Sequence, residues 1–263
     1  MNAAELLGTH DVLFVVLDTL RYDVAIEELS LGRTPTLANL VGQWEERHTP
    51  ASFTLPAHHA FFAGFLPTPA RPGRHQRLFA TRFSGSETTT GSTLVFDAPD
   101  IVRGFAASGY RTICIGGVGF FNPASPLGRV LPGYFQEAHW SEAMGVTSPD
   151  SIDQQVALAV RLLRGAEPSQ RLFLFINVSA LHQPNCHYLE GATVDSRATH
   201  AAALRYVDSR LPPLFDAARA RGPTVCLVMS DHGTCYGDDG YTGHRLAHPS
   251  VWTVPYAECV VGA

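Results

Sequence analysis

The chain has 263 residues, of which 45% are hydrophobic and 16% are charged, and its formal net charge is −5. This length and composition suit a single globular domain that spans residues 1–263. Because a net negative charge gives no attraction to polyanions, we expect neither a nucleic-acid polymer nor an anionic membrane as a partner.

The N-terminal segment contains an apolar run, residues 12–17, that ends at Asp18. No basic leader precedes this run and it is too short to cross a bilayer, so we expect neither a signal peptide nor a membrane anchor. The five cysteines lack CxxC spacing, which favours free thiols and a reducing, cytoplasmic location. Cys186 beside His187, and Cys235, are weak alternative metal ligands, because zinc sites usually show paired spacing.

Four short runs predict strands that are buried on both faces of a parallel sheet. They span residues 12–17, 112–116, 172–178 and 224–229. Helical spacing follows Ser151, a candidate N-cap, and recurs over residues 198–221, where Pro212 and Pro213 break or restart the helix. This alternation predicts an α/β fold, a three-layer α/β/α sandwich with a mostly parallel central sheet.

Two polar or glycine-rich segments are interpreted as loops. Residues 81–93, TRFSGSETTTGST, are too polar to pack and predict an exposed loop, with a lid as an alternative role. Residues 116–128 contain glycines without the spacing of a dinucleotide-binding or P-loop motif, so we exclude both.

Carboxylates follow two of the predicted strands. Asp18 ends the first apolar run, and Asp231 with His232 follows the run at 224–229. In parallel sheets the ligand crevice lies beyond the carboxyl ends of the strands, so these side chains are expected to meet there. Two carboxylates and an imidazole suit a divalent cation.

A hydroxyl group stands at the start of a third segment. Thr54 lies two residues before Pro56, where a helix is expected to begin. A threonine at this place is most often an N-cap. Alternatively, it is a nucleophile beside a cation, because amide groups at a helix start also bind phosphate. His58 and His59 lie on different sides of this helix, and His58 is the better candidate to face the site.

Three further histidines follow the predicted strands. His182 comes after the run at 172–178, and His244 and His248 follow the Asp-His pair. A histidine in the crevice could orient a substrate oxygen, protonate a leaving group or complete a metal shell. A solvated loop histidine is the alternative, and it is as good an interpretation for His248.

These segments resemble the alkaline phosphatase and sulfatase superfamily. LFVVLDTLRYD is similar to its opening metal-binding strand, TLPAHHAFFAG to its nucleophile helix, and residues 200–233, which end in SDHG, to its second metal-binding strand. The resemblance implies an alkaline-phosphatase-like fold. It also implies a metal held by Asp18, Thr54, Asp231 and His232, with Thr54 forming a phospho-threonine intermediate.

Departures from the superfamily motifs indicate which branch of the superfamily this chain resembles. Sulfatases have C/S-x-P-x-R where this chain has Thr54, Pro56 and His58, and a threonine does not become formylglycine. Val178 stands where two-metal relatives have the aspartate of an Asp-x-x-x-His element. NVSALHQP is closer to the G-S-H-x-P element of lipoteichoic acid synthases and phosphoethanolamine transferases, which implies that His182 and His244 act on the phosphate side.

We therefore expect a metal-dependent phosphoester hydrolase or phosphotransferase that acts on a small-molecule or peptide-linked phosphoester. One alternative is a sulfatase-like or phosphonate ester hydrolase that uses Thr54. The other is a non-catalytic protein that binds a phosphorylated ligand. The oligomeric state and the choice between hydrolysis and transfer are left open.

At least one divalent ion is expected, and we name Zn²⁺ or Mn²⁺ because a histidine joins oxygen ligands. Mg²⁺ and Ca²⁺ are alternatives, since oxygen-rich shells also suit them. A second ion held by His182, His244 and His248 is left open.

Overall fold

The computed structural model describes residues 3–64, 79–80, 94–95 and 100–262. Its strands are β1 (Asp11–Leu17), β2 (Glu45–His48), β3 (Phe79–Ala80), β4 (Leu94–Val95), β5 (Arg111–Ile115), β6 (Glu137–His139), β7 (Leu172–Val178), β8 (Thr224–Met229), β9 (Cys235–Tyr236), β10 (Thr242–Gly243) and β11 (Thr253–Val261). Its α-helices are α1 (Ala3–Leu6), α2 (Tyr22–Ser30), α3 (Pro35–Val41), α4 (Thr54–Ala63), α5 (Ile101–Ala107), α6 (Ser151–Gly165), α7 (Arg197–Arg210), α8 (Pro212–Arg221) and α9 (Pro249–Trp252). Short 3₁₀ helices lie at Gly119–Phe121, Leu127–Arg129, Pro132–Tyr134, Glu142–Met144, Cys186–Tyr188 and Asp238–Gly240.

The central sheet has seven strands in the order β2-β11-β8-β1-β7-β5-β6. Strands β8, β1, β7, β5 and β6 run parallel, whereas β11 pairs antiparallel with both β8 and β2. All seven residues of β1 and of β7 are buried. The prediction of an α/β fold with a mostly parallel sheet is confirmed.

Apolar side chains cover both faces of this sheet, because successive residues of a strand point to opposite sides. Leu13 and Val15 face one core, to which α2, α3, α6, α7 and α8 contribute. Phe14 and Val16 face the other, to which α4 and α5 contribute. The molecule therefore has three layers, with helices on each side of the sheet.

The predicted elements are found with small shifts. Strands β7 and β8 have the predicted bounds, and β1 and β5 each begin one residue earlier than expected. The predicted helix at 198–221 is two helices, α7 and α8, with Ser196 closing a capping box at the start of α7. Ser151 is not the N-cap of α6: Asp150 holds that position and Ser151 is the first helical residue.

In the described part of the chain, no helix has the length and apolarity needed to cross a membrane. The polar segment 81–93, interpreted as a loop with a lid as an alternative, lies outside the described residues.

Candidate metal and nucleophile site

Hydrogen bonds from backbone N–H groups connect the segments that follow β1 and β8. The N–H of Asp18 donates to the carbonyl of Val178 at 3.1 Å, which extends the β1–β7 pairing one residue beyond β1. Thr19 then takes a left-handed conformation with φ +62°. Its N–H donates to Oδ1 of Asp231 at 3.1 Å. The residue that turns the chain away from β1 therefore fixes the carboxylate that follows β8.

A tight turn holds the segment after β8. The N–H of Ser230 donates to the carbonyl oxygen of Pro255 at 3.1 Å, and the N–H of Gly233 donates to the carbonyl oxygen of Val251 at 2.7 Å. A Cβ atom at Gly233 would lie 2.0 Å from the carbonyl oxygen of Ser250, so only glycine fits. The close approach fixes the backbone next to His232 against α9, directly before β11 begins.

The imidazole of His232 is oriented by its own backbone neighbour. Its Nδ1 lies 2.9 Å from the carbonyl oxygen of Gly233, an atom that only accepts hydrogen bonds. Nδ1 therefore carries the hydrogen, and Nε2 has the free lone pair that a metal ligand needs. Burial lowers the pKa of this histidine, which keeps the ring neutral.

Thr54 is the first residue of α4, and Phe53 occupies the N-cap position without a side-chain cap bond. The N-cap interpretation of Thr54 is therefore wrong. Its Oγ1 lies 3.3 Å from Nε2 of His232 and 3.5 Å from Oδ2 of Asp18. Only 2% of Thr54 is exposed, so the hydroxyl is directed into the buried cluster at the strand ends.

Three acidic and histidine side chains form one cluster in the described residues: ligand atoms of Asp18, Asp231 and His232 all lie within 4.8 Å of one another. All three residues are fully buried. Oδ1 of Asp18 and Oδ2 of Asp231 have no hydrogen-bond partner among the described residues. Unpartnered buried carboxylate oxygens are costly, and a divalent cation is a group that would compensate them.

The electrostatics of the cluster agree with this geometry. Burial, together with the neighbouring charge of Asp231, raises the pKa of Asp18 to about 6. Burial raises the pKa of Asp231 to about 7. Each carboxylate therefore resists ionisation until a positive charge arrives, and cation binding should release protons near neutral pH.

His58 lies beneath the cluster. Its Nδ1 lies 2.8 Å from the carbonyl oxygen of Thr54 and donates a hydrogen bond to it, because a carbonyl oxygen only accepts. The same nitrogen is 3.7 Å from Oδ2 of Asp231. Burial lowers the pKa of His58 to about 3, and the rings of Phe121 and Phe175 pack edge-on against it. His58 is therefore a neutral group that braces the first turn of α4.

His182 and His244 lie beside the cluster on its outer side. The ring centroid of His244 is 4.6 Å from that of His232 and 5.4 Å from that of His182. Nδ1 of His182 lies 2.6 Å from the carbonyl oxygen of Gln183, which leaves Nε2 as its free ring nitrogen. Burial lowers the pKa of His244 to about 3. Both residues are half-buried, as suits groups that meet a substrate.

The remaining candidates lie elsewhere. His248 contacts Asp239 through Nε2 at 3.1 Å and accepts the N–H of Ser250, which makes it the N-cap of α9. Within the described residues, Cys186, His187 and Cys235 do not join a cluster of metal-ligand type. These three and His248 are accordingly left out of the site.

One polar contact of the cluster escaped the sequence analysis. Nδ2 of Asn177, on β7, donates to Oδ2 of Asp18 at 2.8 Å. Oδ1 of Asn177 accepts the N–H of Val118 at 3.1 Å. A Cβ atom at Gly117 would lie 2.4 Å from the backbone oxygen of Asn177, so a glycine is required there. An asparagine inside the otherwise apolar run LFLFINV was the available signal.

Comparison with known proteins rests on structure alone. No protein-family model matches the sequence, and no curated protein matches it significantly. Solved structures match along nearly the whole chain. They include the C-terminal periplasmic domain of phosphoethanolamine transferase EptC from Campylobacter jejuni, with a TM-score of 0.65 and 12% identity over 96% of this chain and 80% of that chain.

Two more structures have the same fold. The C-terminal periplasmic domain of EcEptC from Escherichia coli, in complex with Zn, has a TM-score of 0.66 and 12% identity over 96% of this chain and 73% of that one. A protein in the alkaline phosphatase superfamily from Vibrio parahaemolyticus has a TM-score of 0.59 and 17% identity over 96% and 60%. At such identities the likeness establishes the fold, and at that level it confirms the resemblance seen in the sequence: the chain has the alkaline-phosphatase-like α/β fold.

Proposed function

We propose that this protein is a metal-dependent phosphoester hydrolase or phosphotransferase in which Thr54 is the nucleophile. One observation carries the proposal: the Thr54 hydroxyl lies 3.3 Å from Nε2 of His232 and 3.5 Å from Oδ2 of Asp18, beside carboxylate oxygens without partners. Support also comes from the solved neighbours of the same fold, which include domains of phosphoethanolamine transferases.

The side chains at the strand ends suit a divalent cation. Asp18, Asp231 and His232 supply two hard oxygen ligands and one nitrogen ligand, and Thr54 adds a hydroxyl. Such a mixed set favours Zn²⁺ or Mn²⁺ over Mg²⁺ or Ca²⁺. The EcEptC domain was solved with Zn. When bound, the cation lowers the pKa of a neighbouring hydroxyl and offsets negative charge on a phosphoryl group.

In the first step, Oγ1 of Thr54 attacks phosphorus and the bond between phosphorus and the leaving alcohol breaks, which yields phospho-threonine. Water or an acceptor alcohol then attacks the same phosphorus and restores Thr54. Amide groups in the first turn of α4 lack intrahelical acceptors, as at every helix start, and suit the phosphoryl oxygens. Hydrolysis and transfer differ only in the acceptor of the second step.

His182 and His244 are assigned to the phosphoryl oxygens and the leaving group. Their rings lie on the outer side of His232, where a substrate would enter. Nε2 of His182 is free because Nδ1 is engaged by the Gln183 carbonyl. Nε2 of His182 could take up the proton that Thr54 loses and pass it to the departing alcohol, and the neutral ring of His244 could donate its N–H to a phosphoryl oxygen.

The test is turnover by metal-free protein of bis-p-nitrophenyl phosphate, p-nitrophenyl phosphate and p-nitrophenyl sulfate, with each divalent ion added back. We expect phosphoester cleavage to be restored by Zn²⁺ or Mn²⁺. Thr54→Ala should lower kcat/KM by at least about 10³-fold, because a nucleophile is removed. Thr54→Ser should retain part of the wild-type activity. Thr112→Ala, a buried threonine of β5 bonded to Gln136, is the matched control.

The outcomes separate the alternatives. Preferred cleavage of the sulfate ester would favour the sulfatase-like hydrolase. Unchanged turnover in Thr54→Ala would remove Thr54 from the nucleophile role. No turnover with any ion, combined with metal binding, would favour the protein that binds a phosphorylated ligand without reaction.

A further inference from the structure

An arginine beside the candidate site has an unfavourable backbone conformation. Arg245 follows His244 and has φ +70°, a left-handed conformation that is open to glycine and strained for other residues. Strained residues that persist next to a reactive cluster often serve the function of that cluster. The side chain of Arg245 therefore needs an explanation that a glycine would not supply.

Two contacts place Arg245 next to the nucleophile. Its N–H donates to the carbonyl oxygen of Ser52 at 2.9 Å. Its guanidinium carbon lies 5.0 Å from the ring centroid of Phe53. Because Phe53 directly precedes Thr54 in the chain, both contacts fix Arg245 against the segment that leads into the start of α4.

The charge of this guanidinium is not neutralised by the described part of the protein. Arg21, also close to the strand ends, binds the carboxylates of both Asp23 and Asp238. Within the described ranges no carboxylate pairs with Arg245, and its guanidinium lies over the ring of Phe53. The positive charge of Arg245 is therefore available to an anion.

The exposure of Arg245 indicates which part of a substrate it could bind. Thr54 is 2% exposed and His232 is 0% exposed, whereas Arg245 is exposed. The guanidinium lies over the half-buried ring of Phe53, whose centroid is 6.2 Å from that of Phe120. A phosphorus atom attacked by Thr54 is buried, so Arg245 meets a part of the substrate that lies farther out.

We propose that Arg245 binds a second anionic group, a carboxylate or another phosphate, carried by the organic part of the phosphoester substrate. This inference rests on the proposed function and narrows its substrate class. A planar guanidinium that binds both oxygens of a carboxylate or phosphate suits this role. A substrate whose alcohol carries an ammonium group, such as a phosphoethanolamine, is disfavoured by the same charge.

The experiment compares p-nitrophenyl phosphodiesters whose second ester group is ethyl, carboxymethyl or aminoethyl. For the wild-type holoenzyme we expect kcat/KM for the carboxymethyl diester to exceed that for the ethyl diester by about fivefold, the upper range of an exposed ion pair. The aminoethyl diester should fall below both. The effect should lie mainly in KM, since the anionic group does not react.

Arg245→Gly is expected to fold at least as stably, because it removes the backbone strain, and to lose the preference among the three diesters. Arg245→Lys should retain it. The chain contains no lysine, so the amine of the Arg245→Lys protein can be acetylated with only the N-terminal amine as a competitor. Acetylation should abolish the preference in that variant and leave it unchanged in acetylated wild-type protein.

A matched control is Asp239→Gly, which replaces another exposed residue with positive φ, +50°, away from the cluster. It should leave the preference unchanged. The proposal is overturned if Arg245→Gly keeps the wild-type preference, because the arginine would then serve only the backbone. In that case metal-dependent turnover that needs Thr54 would still support the proposed function.

Binding separates the two proposals if no diester is cleaved. Zinc-loaded wild-type protein should bind phosphonoacetate more tightly than ethylphosphonate, and Arg245→Gly should bind the two with equal affinity, by isothermal titration calorimetry. Equal affinities in the wild-type protein would overturn the assignment of Arg245. A preference without turnover would uphold it while the hydrolase or transferase proposal failed.

Discussion

The two ends of β1 place a buried aspartate in opposite situations. Asp11, at the amino end, is 2% exposed, and Asp18, just beyond the carboxyl end, is 0% exposed. Oδ2 of Asp11 accepts from Nε of Arg221 at 2.8 Å, and its Oδ1 accepts the N–H of Leu172 at 2.9 Å. Asp18 has the amide of Asn177 and no cation, and one of its oxygens has no partner in the described structure.

The difference separates a buried carboxylate that the chain itself compensates from one that it does not compensate fully. A buried carboxylate is tolerated when a cation and hydrogen bonds compensate it. At the amino end of β1 the chain supplies the arginine itself. At the carboxyl end compensation is incomplete, and we infer that it comes from outside the chain. The predictions below test this contrast.

The largest expected effect is at the amino end. Arg221→Ala removes the closer of the two cations at Asp11, since Nη1 of Arg171 lies 3.7 Å from Oδ1. It should lower the free energy of unfolding by about 3–5 kcal/mol, because a buried charge loses its hydrogen-bonded partner. Urea denaturation measures this change, and added zinc should not restore the loss. Arg219→Ala, whose exposed side chain pairs with exposed Asp216, should cost no more than about 1 kcal/mol.

The second prediction concerns pH at the carboxyl end, with a chelator present. The pKa of Asp231 is about 7 in the folded protein because burial raises it from an ordinary value of 3.8. Between these values the folded state binds more protons than the unfolded state, so the contribution of Asp231 to stability falls as pH rises. Asp231→Asn does not titrate there. Its stability relative to wild type should therefore rise by about 2–4 kcal/mol from pH 4 to pH 8.

Urea denaturation of wild-type and Asp231→Asn proteins at several pH values checks that expectation. Comparing the variant with wild type cancels the contributions of buried histidines, which have the opposite sign. Asp216→Asn, at an exposed carboxylate on α8, is the control and should show a flat difference. A flat difference for Asp231→Asn too would mean that Asp231 is ionised in the metal-free protein.

Added zinc should stabilise the folded protein only by binding at the carboxyl end of β1. At a free zinc concentration of 100 Kd the free energy of unfolding should rise by about 2.7 kcal/mol. Asp18→Asn should lose this gain at the same concentration, while Arg221→Ala should retain it in full. Thermal denaturation with and without zinc makes the comparison. An equal gain in wild type and Asp18→Asn would place the ion elsewhere.

The smallest effect is expected from the amide that orients Asp18. Asn177→Ala should weaken zinc binding about 10–100-fold, the range for groups that position a metal ligand. Ser179→Ala, two residues farther on and bonded to the carbonyl of Met144, is the control. Calorimetric titration of both variants would decide whether Asn177 acts on the ion through Asp18, and unchanged affinity in Asn177→Ala would exclude it.

The parallel part of the fold was predictable because its strands are buried on both faces and lie between amphipathic helices. The edges were not. β2 consists of Glu45–His48, all exposed, and carries no apolar signal. β11 contains Pro255, a residue usually taken as evidence against an interior strand. Its pairing with β8 depends on contacts between distant segments, which local patterns do not report.

The candidate site shows a similar division. Asp18, Asp231 and His232 follow apolar strands, so the topology alone predicts that they meet. The proposal that Thr54 is a nucleophile depended on family motifs, since a hydroxyl before a proline locally favours an N-cap. Asn177 and Arg245 were missed because the first is hidden in an apolar strand and the second reaches the site through a turn conformation that sequence does not disclose.

Two of the tightly enclosed glycines, those beside the candidate site, have a consequence for any survey of mutational tolerance. Gly117 and Gly233 carry no reactive group, yet a single added carbon would meet a backbone oxygen 2.4 Å away at the first and 2.0 Å away at the second. In a library of all single substitutions these positions should score as intolerant as the reacting residues. Ranking positions by lost activity alone would therefore mistake steric fit for chemistry, and measuring protein abundance alongside activity would separate them.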